Sequence, residues 1–231
     1  MIVAVITCVL LAPFPIEFSE YLFECSVFTC FTVDMNEVDP QKLKDNILQA
    51  AQQRFRQYGY GKTTMAEIAE DVSMSAANLY RYFQNKQDIA GACANMCMCE
   101  HNEHIREFTR NKKLSAAQRL YTFAIEACRH NMSVMKDTPR AMELVQIISA
   151  NNGDMVKKNI ENQVGLIAEI LSYGNETGEF QVNDVIGQAK TLYSTLLLFD
   201  VPIFLSLYTQ EEFEEKAQNI INLIIEGIRK R

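Results

Sequence analysis

Residues 63–89 read TTMAEIAEDVSMSAANLYRYFQNKQDI. Within this stretch Ala69, Ser73 and Leu79 stand at the offsets of two short helices that cross closely. Such a crossing needs a small residue at the closest approach, a turn-tolerant residue four positions on, and an apolar residue six beyond that. Met65, Ile68, Ala69 and Val72 form the apolar stripe of the first helix, and Thr64 is placed to cap it. Ser75 is placed to cap the second, which the spacing predicts to run to Phe83. The usual residue at the turn is Gly, so a left-handed backbone at Ser73 costs about 1 kcal/mol.

The second helix has two unlike faces. Leu79 and Phe83 are four apart and point inward, whereas Ala76, Ala77 and Asn78 lie outward at its start. Short side chains there let the backbone sit deep in a DNA major groove, and the amide of Asn78 suits an adenine edge. Tyr80, Tyr82, Lys86 and the Thr64 hydroxyl have the chemistry to hold phosphates on either side. This explains why phenols and cations follow two alanines.

Outward from this stretch the pattern is helical. Leu43, Ile47, Leu48, Ala51 and Phe55 recur at helical spacing, closed by Gly59 and Gly61. A helix beginning near Lys86 carries Ile89, Cys93, Met96 and Cys97 on one side. Ser115 with Gln118, and Thr209 with Glu212, have capping-box spacing. Thr138-Pro139, Asp154 and Asn183 or Asp184 mark further helix starts, with stops at Tyr173-Gly174 and near Pro202. The last two helices are strongly apolar, including Leu192, Leu196, Phe199, Phe213, Ile221 and Ile225, which predicts a subunit interface beside a core. The expected fold is all-α.

The chain of 231 residues is 48% apolar, with only 9 Gly and 5 Pro, which suits long helices in a globular protein. A net charge of −7 argues against a protein that coats nucleic acid without selectivity, and leaves room for a local DNA-reading face. Seven Cys in no disulfide framework fit reduced thiols in a cytoplasm.

The run from Thr63 to Ile89 resembles the DNA-binding domain of the TetR/AcrR family of bacterial transcriptional regulators. Thr64, Ile68, Ala69, Leu79, Tyr80, Tyr82, Phe83 and Lys86 match the family pattern, as does the preceding ILQAAQQRFRQYGY with Phe55, Gly59 and Tyr60. Two positions depart from it: Ser73 replaces a common turn Gly, and Ala77 a common Gly of the reading helix. The resemblance implies a three-helix helix-turn-helix domain over residues 35–88. It implies a helical ligand-binding and dimerisation domain over 89–231, around Gly178-Glu179-Phe180 and the two apolar helices that follow. By that resemblance the protein is a homodimeric, ligand-responsive repressor of a near-palindromic double-stranded DNA operator. A small-molecule effector would alter the spacing of its two reading heads. No cofactor, membrane association or enzymatic activity is expected.

Three other features of the chain point in different directions. Gly61-Lys62-Thr63 ends like a phosphate-binding loop, but Arg56 stands where that loop needs Gly, and a helix precedes it. Cys93, Cys97 and His101 are four apart on one helical face, the spacing of a soft-metal or redox site, although buried Cys is more often simple core. Residues 1–34 begin with the apolar run MIVAVITCVLLAPF, yet no Lys or Arg precedes Lys42. A secretory signal needs that positive charge, so the segment reads as an extension upstream of a start at Met35. A membrane-associated helical adaptor is the alternative that rests on it.

Overall fold

The computed structural model describes residues 39–137, 140–200 and 208–230. The expectations for residues 1–34, for Thr138-Pro139 and for Pro202 lie outside these. Nine α-helices follow one another: α1 Pro40–Tyr58, α2 Met65–Asp71, α3 Ala76–Leu79, α4 Lys86–Thr109, α5 Ala116–Asp137, α6 Ala141–Asn151, α7 Gly153–Glu176, α8 Val185–Leu196 and α9 Gln210–Ile228, counted among the described residues. A 3-10 turn, Leu197–Asp200, extends α8. The nearest approach to a sheet among the described residues is an isolated antiparallel bridge between Phe180 and Arg229.

Local chemistry sets the helix ends. Asp39 accepts from Gln41 N at 3.0 Å to start α1, and Gly59 at φ +90° ends it. Asp184 accepts from Gly187 N at 2.9 Å to start α8. Thr209 and Glu212 form the expected reciprocal box on α9. The reading helix is shorter than its spacing predicts. After Leu79 the bonds tighten to Arg81 N→Asn78 O and Tyr82 N→Leu79 O, three residues apart. Asn85 already caps α4, accepting from Asp88 N at 2.9 Å, so the chain must turn within six residues of Leu79.

Apolar packing divides the molecule into two cores. The first joins α1, α2 and α3 to the N-terminal half of α4 through Ile47, Phe55, Ile68, Leu79 and Ile89. It also takes in α6, through Leu144, Val145 and Ile148. The second is built from α5, α7, α8 and α9, with Ile105 at the far end of α4. Leu192, Leu196, Phe199, Phe213, Ile221 and Ile225 are buried in it. Much of the apolar surface that the sequence assigns to a subunit interface is therefore covered within one chain. Ile186 and Leu223 stay exposed.

Candidate nucleic-acid interface

The helix-turn-helix is built from α2 and α3. Thr64 and Glu67 form a capping box: Thr64 Oγ1 accepts from Glu67 N at 3.3 Å, and Glu67 Oε2 accepts from Thr64 N at 2.8 Å. The Thr64 hydroxyl donates to the same carboxylate oxygen at 2.7 Å, and this bond holds the Glu67 carboxyl below its ordinary range. Arg54 of α1 ties down the outside of α2, pairing with Asp71 and lying 3.4 Å from Glu67. Ser73 then turns the chain at φ +55°, as the spacing requires, and Met74 N closes onto Ala69 O at 2.9 Å. Ser75 Oγ accepts from Asn78 N at 3.2 Å to start α3.

The inward side of this segment is as the sequence predicts, and of the three residues expected outward Ala77 is the one fully exposed. Leu79 and Phe83 are buried, while Ala77 is exposed and Tyr80 keeps 53% of its surface open. Ala76 and Asn78 are half-buried, and the Asn78 side-chain amide makes no hydrogen bond among the described residues. Tyr82 is half-buried against the first core. Arg81 is exposed beside Tyr80, four residues past Ala77. It lies past the end of α3, in the tightened turn, and a cation directly beside Tyr80 is the signal by which the sequence could have singled it out. The Lys44 ammonium of α1 lies 5.5 Å from the ring of Phe83, just past α3.

Lys86 differs from the role its position suggests. Its ammonium turns inward and donates to Tyr60 O and Thr63 O, both at 2.6 Å, 4.2 Å from the Tyr60 ring centre. Partial burial lowers its pKa, opposed by the charges of Glu143 and Glu67. Two of its three N–H groups are thus engaged in holding the loop that leads to Thr64.

The cysteine and histidine face of α4 does not converge on one point. Cys93 packs against α1, its thiol 3.5 Å from Leu48 O, and burial pushes its pKa well up. Cys97 accepts from Gln52 Nε2 at 3.1 Å, and burial together with Glu100 pushes it up to about 12. A thiol that resists ionisation is a poor ligand and a poor oxidant sensor. His101 instead stacks on His130 of α5, ring centres 4.2 Å apart. Among the described residues no group of three or more His, Cys, Asp or Glu is placed to hold a metal ion. Nor is any described helix long and apolar enough to cross a membrane.

Comparison with known proteins agrees with this geometry. Residues 47–93 match the family described as bacterial regulatory proteins, tetR family, and residues 116–221 match the tetracyclin repressor-like C-terminal domain. The chain belongs to the TetR family of bacterial regulatory proteins. One relative is the biofilm operon icaADBC HTH-type negative transcriptional regulator IcaR of Staphylococcus aureus, 26% identical over 175 residues, which are 75% of this chain and 87% of that protein. Among solved structures, a TetR-family regulator from Mesorhizobium loti superposes with a TM-score of 0.70 at 18% identity, covering 84% of this chain and all of the other. The SmeT–triclosan complex superposes with a TM-score of 0.59 at 16% identity, covering 78% and 90%; SmeT is the repressor of a Stenotrophomonas maltophilia multidrug efflux pump. These structural likenesses carry the fold.

Proposed function

We propose that this protein is a ligand-responsive transcriptional repressor that binds a near-palindromic operator as a homodimer. The observation that carries the reading is the outward face of α3, set by the left-handed turn at Ser73 and anchored by buried Leu79 and Phe83. Ala76 and Ala77 allow close approach to the groove floor, and Asn78 reads a base edge. Tyr80, Tyr82 and Arg81 hold flanking phosphates, whereas Thr64, whose hydroxyl and N–H both donate to Glu67, acts by capping α2. Lys86 acts at one remove by fixing the loop before Thr64. Two such heads, one per subunit, engage successive major grooves roughly 34–36 Å apart. IcaR, a negative regulator by name, supports the sign of regulation, and the triclosan complex of SmeT supports a small-molecule effector.

Footprinting of the full chain on DNA around its own gene, with selection from a randomised duplex library, tests this. The expected result is a protected near-palindrome. Asn78→Ala should relax selectivity at one base pair by about 1–3 kcal/mol, whereas Tyr82→Phe should weaken all sequences alike. No enrichment of any duplex at low salt would overturn the reading.

A further inference from the structure

Helix α6 belongs by position to the effector-binding part of the chain, yet its apolar face is buried in the core of the reading head. Its first turn also reaches the head's surface loop. Gly61 N donates to Glu143 Oε1 at 2.9 Å. The approach is close enough that a methyl group on Gly61 would stand 2.7 Å from that oxygen. One on Gly59 would stand 3.3 Å from Arg140 Cδ and from Glu143 Oε2. The two loop glycines therefore make room for the start of α6.

This loop is internally stiff. Thr63 Oγ1 donates to Gly59 O at 2.9 Å, and Thr63 N to Tyr60 O at 3.2 Å. From the α4 side Lys86 holds Tyr60 O and Thr63 O. The cation of α4 and the anion of α6 thus grip opposite polar groups of one short segment, which ends at Thr64, the cap of α2. At its other end α6 meets α4 again: a methyl group on Gly91 would stand 2.9 Å from Asn152 Nδ2. Directly after Asn152 begins α7, a wall of the second core.

We infer that Glu143 is a positioning residue for DNA binding: through Gly61 N–H it sets the loop that leads to Thr64, and so the orientation of the reading head. The inference rests on the regulator reading above. A head held in place before it meets DNA loses less freedom on binding. Without that bond the loop from Gly61 to Thr64 loses its hold on α6.

The test uses the full chain and a labelled duplex enriched by the wild type from a randomised library. Glu143→Ala and Gly61→Ala should each weaken binding about three- to tenfold, the range of one hydrogen bond. The double variant should be no weaker than either alone, because both remove the same contact. Glu143→Gln, whose amide oxygen still accepts, should stay within about twofold of wild type. Hydrogen exchange at Gly61–Thr63 should quicken in Glu143→Ala and not in Glu143→Gln, with the unfolding midpoint unchanged to within about 2 °C. Unchanged binding by Glu143→Ala, additive losses in the double variant, or equal losses in the Gln and Ala variants would overturn the inference. So would a loss of affinity that tracks a loss of stability. If the wild type enriches no duplex at all, the regulator reading fails and this inference falls with it.

Discussion

In the first core the helix ends are closed by near neighbours: Thr64 by Glu67, Ser75 by Asn78 N, Asn85 by Asp88 N, each pair three residues apart. In the second core α8 and α9 are also capped locally, by Asp184 and Thr209, but the start of α5 and the end of α4 are closed from farther along the chain as well. The start of α5 has a local cap, Ser115 with Gln118, and a remote one. Glu179, beyond α7, accepts from Ala116 N at 2.6 Å and Ala117 N at 3.2 Å. Arg119 reaches back to Thr109 O at 3.0 Å at the end of α4, its guanidinium 3.7 Å from the Tyr173 ring centre. A region closed locally keeps its shape wherever its helices are placed, which suits a head that must present one fixed surface. A region closed by distant contacts shifts as a body when any of them changes, which suits a part that must respond.

The two meet along α4 in a polar seam. Met98 still belongs to the first core and Ile105 to the second. Between them lie His101, stacked on His130, and Asn102, whose amide donates to Asn159 Oδ1 at 2.9 Å and accepts from Gln163. Removing the anchor on one side of the seam should produce the largest effect. Leu79→Ala empties a site with no solvent exposure and should cost about 2–5 kcal/mol. Because α4 and α6 tie the cores together, calorimetry should still show one transition. Two separated transitions would break the idea that the cores are coupled.

The seam itself should respond to acid. Burial, then His130 and His104, hold the His101 imidazole down to about 3. His101 is therefore neutral in the fold and takes a proton in the unfolded chain below about pH 6.5. Its contribution is fully present above that value and is lost as pH falls from there towards 3. Roughly 2 kcal/mol should be gone by pH 5, seen as a falling denaturant midpoint. His101→Phe keeps a flat ring against His130 and should flatten the slope between pH 6.5 and 5. A slope that survives the substitution would remove His101 as its source.

What the sequence makes legible follows the same division. The turn at Ser73, the inward pair Leu79 and Phe83, and the cap at Thr64 are readable because each signal and its partner lie within one or two helical turns. The inward turn of Lys86 is not, because its acceptors are main-chain carbonyls 23 and 26 residues away, which every residue type supplies. Nor is the bond from Gly61 to Glu143, 82 residues apart. The spacing of Cys93, Cys97 and His101 correctly places them along one side of α4. It cannot say that α1 covers the first two while α5 covers the third. The outward chemistry of α3 is legible for a further reason: its face is defined by what it leaves unburied.

The doubly capped start of α5 sets a local closure against a remote one on the same helix. Ser115→Ala removes the near cap and should cost about 1 kcal/mol. Glu179→Ala removes the acceptor of two first-turn N–H groups and should cost about 1–2 kcal/mol. The kinetics should differ more than the totals. Contacts closed across 62 and 63 residues form late in folding, so Glu179→Ala should act chiefly by speeding unfolding. Stopped-flow measurements that assign its effect to the folding limb would contradict that order.

The smallest effect separates stability from recognition within the head. Ser73 holds φ +55°, a region where a Cβ is crowded and glycine is not. Ser73→Gly should stabilise the protein by about 0.5 kcal/mol or less, the strain relieved less the extra freedom that glycine gives the unfolded chain. The turn already has the geometry glycine would adopt, with Met74 N closed onto Ala69 O at 2.9 Å, so α3 should keep its angle. Affinity for an enriched duplex should therefore stay within about twofold while the unfolding midpoint rises. A variant that gains stability and loses DNA binding would mean that the side chain of Ser73, exposed at the turn, is itself part of the contact surface.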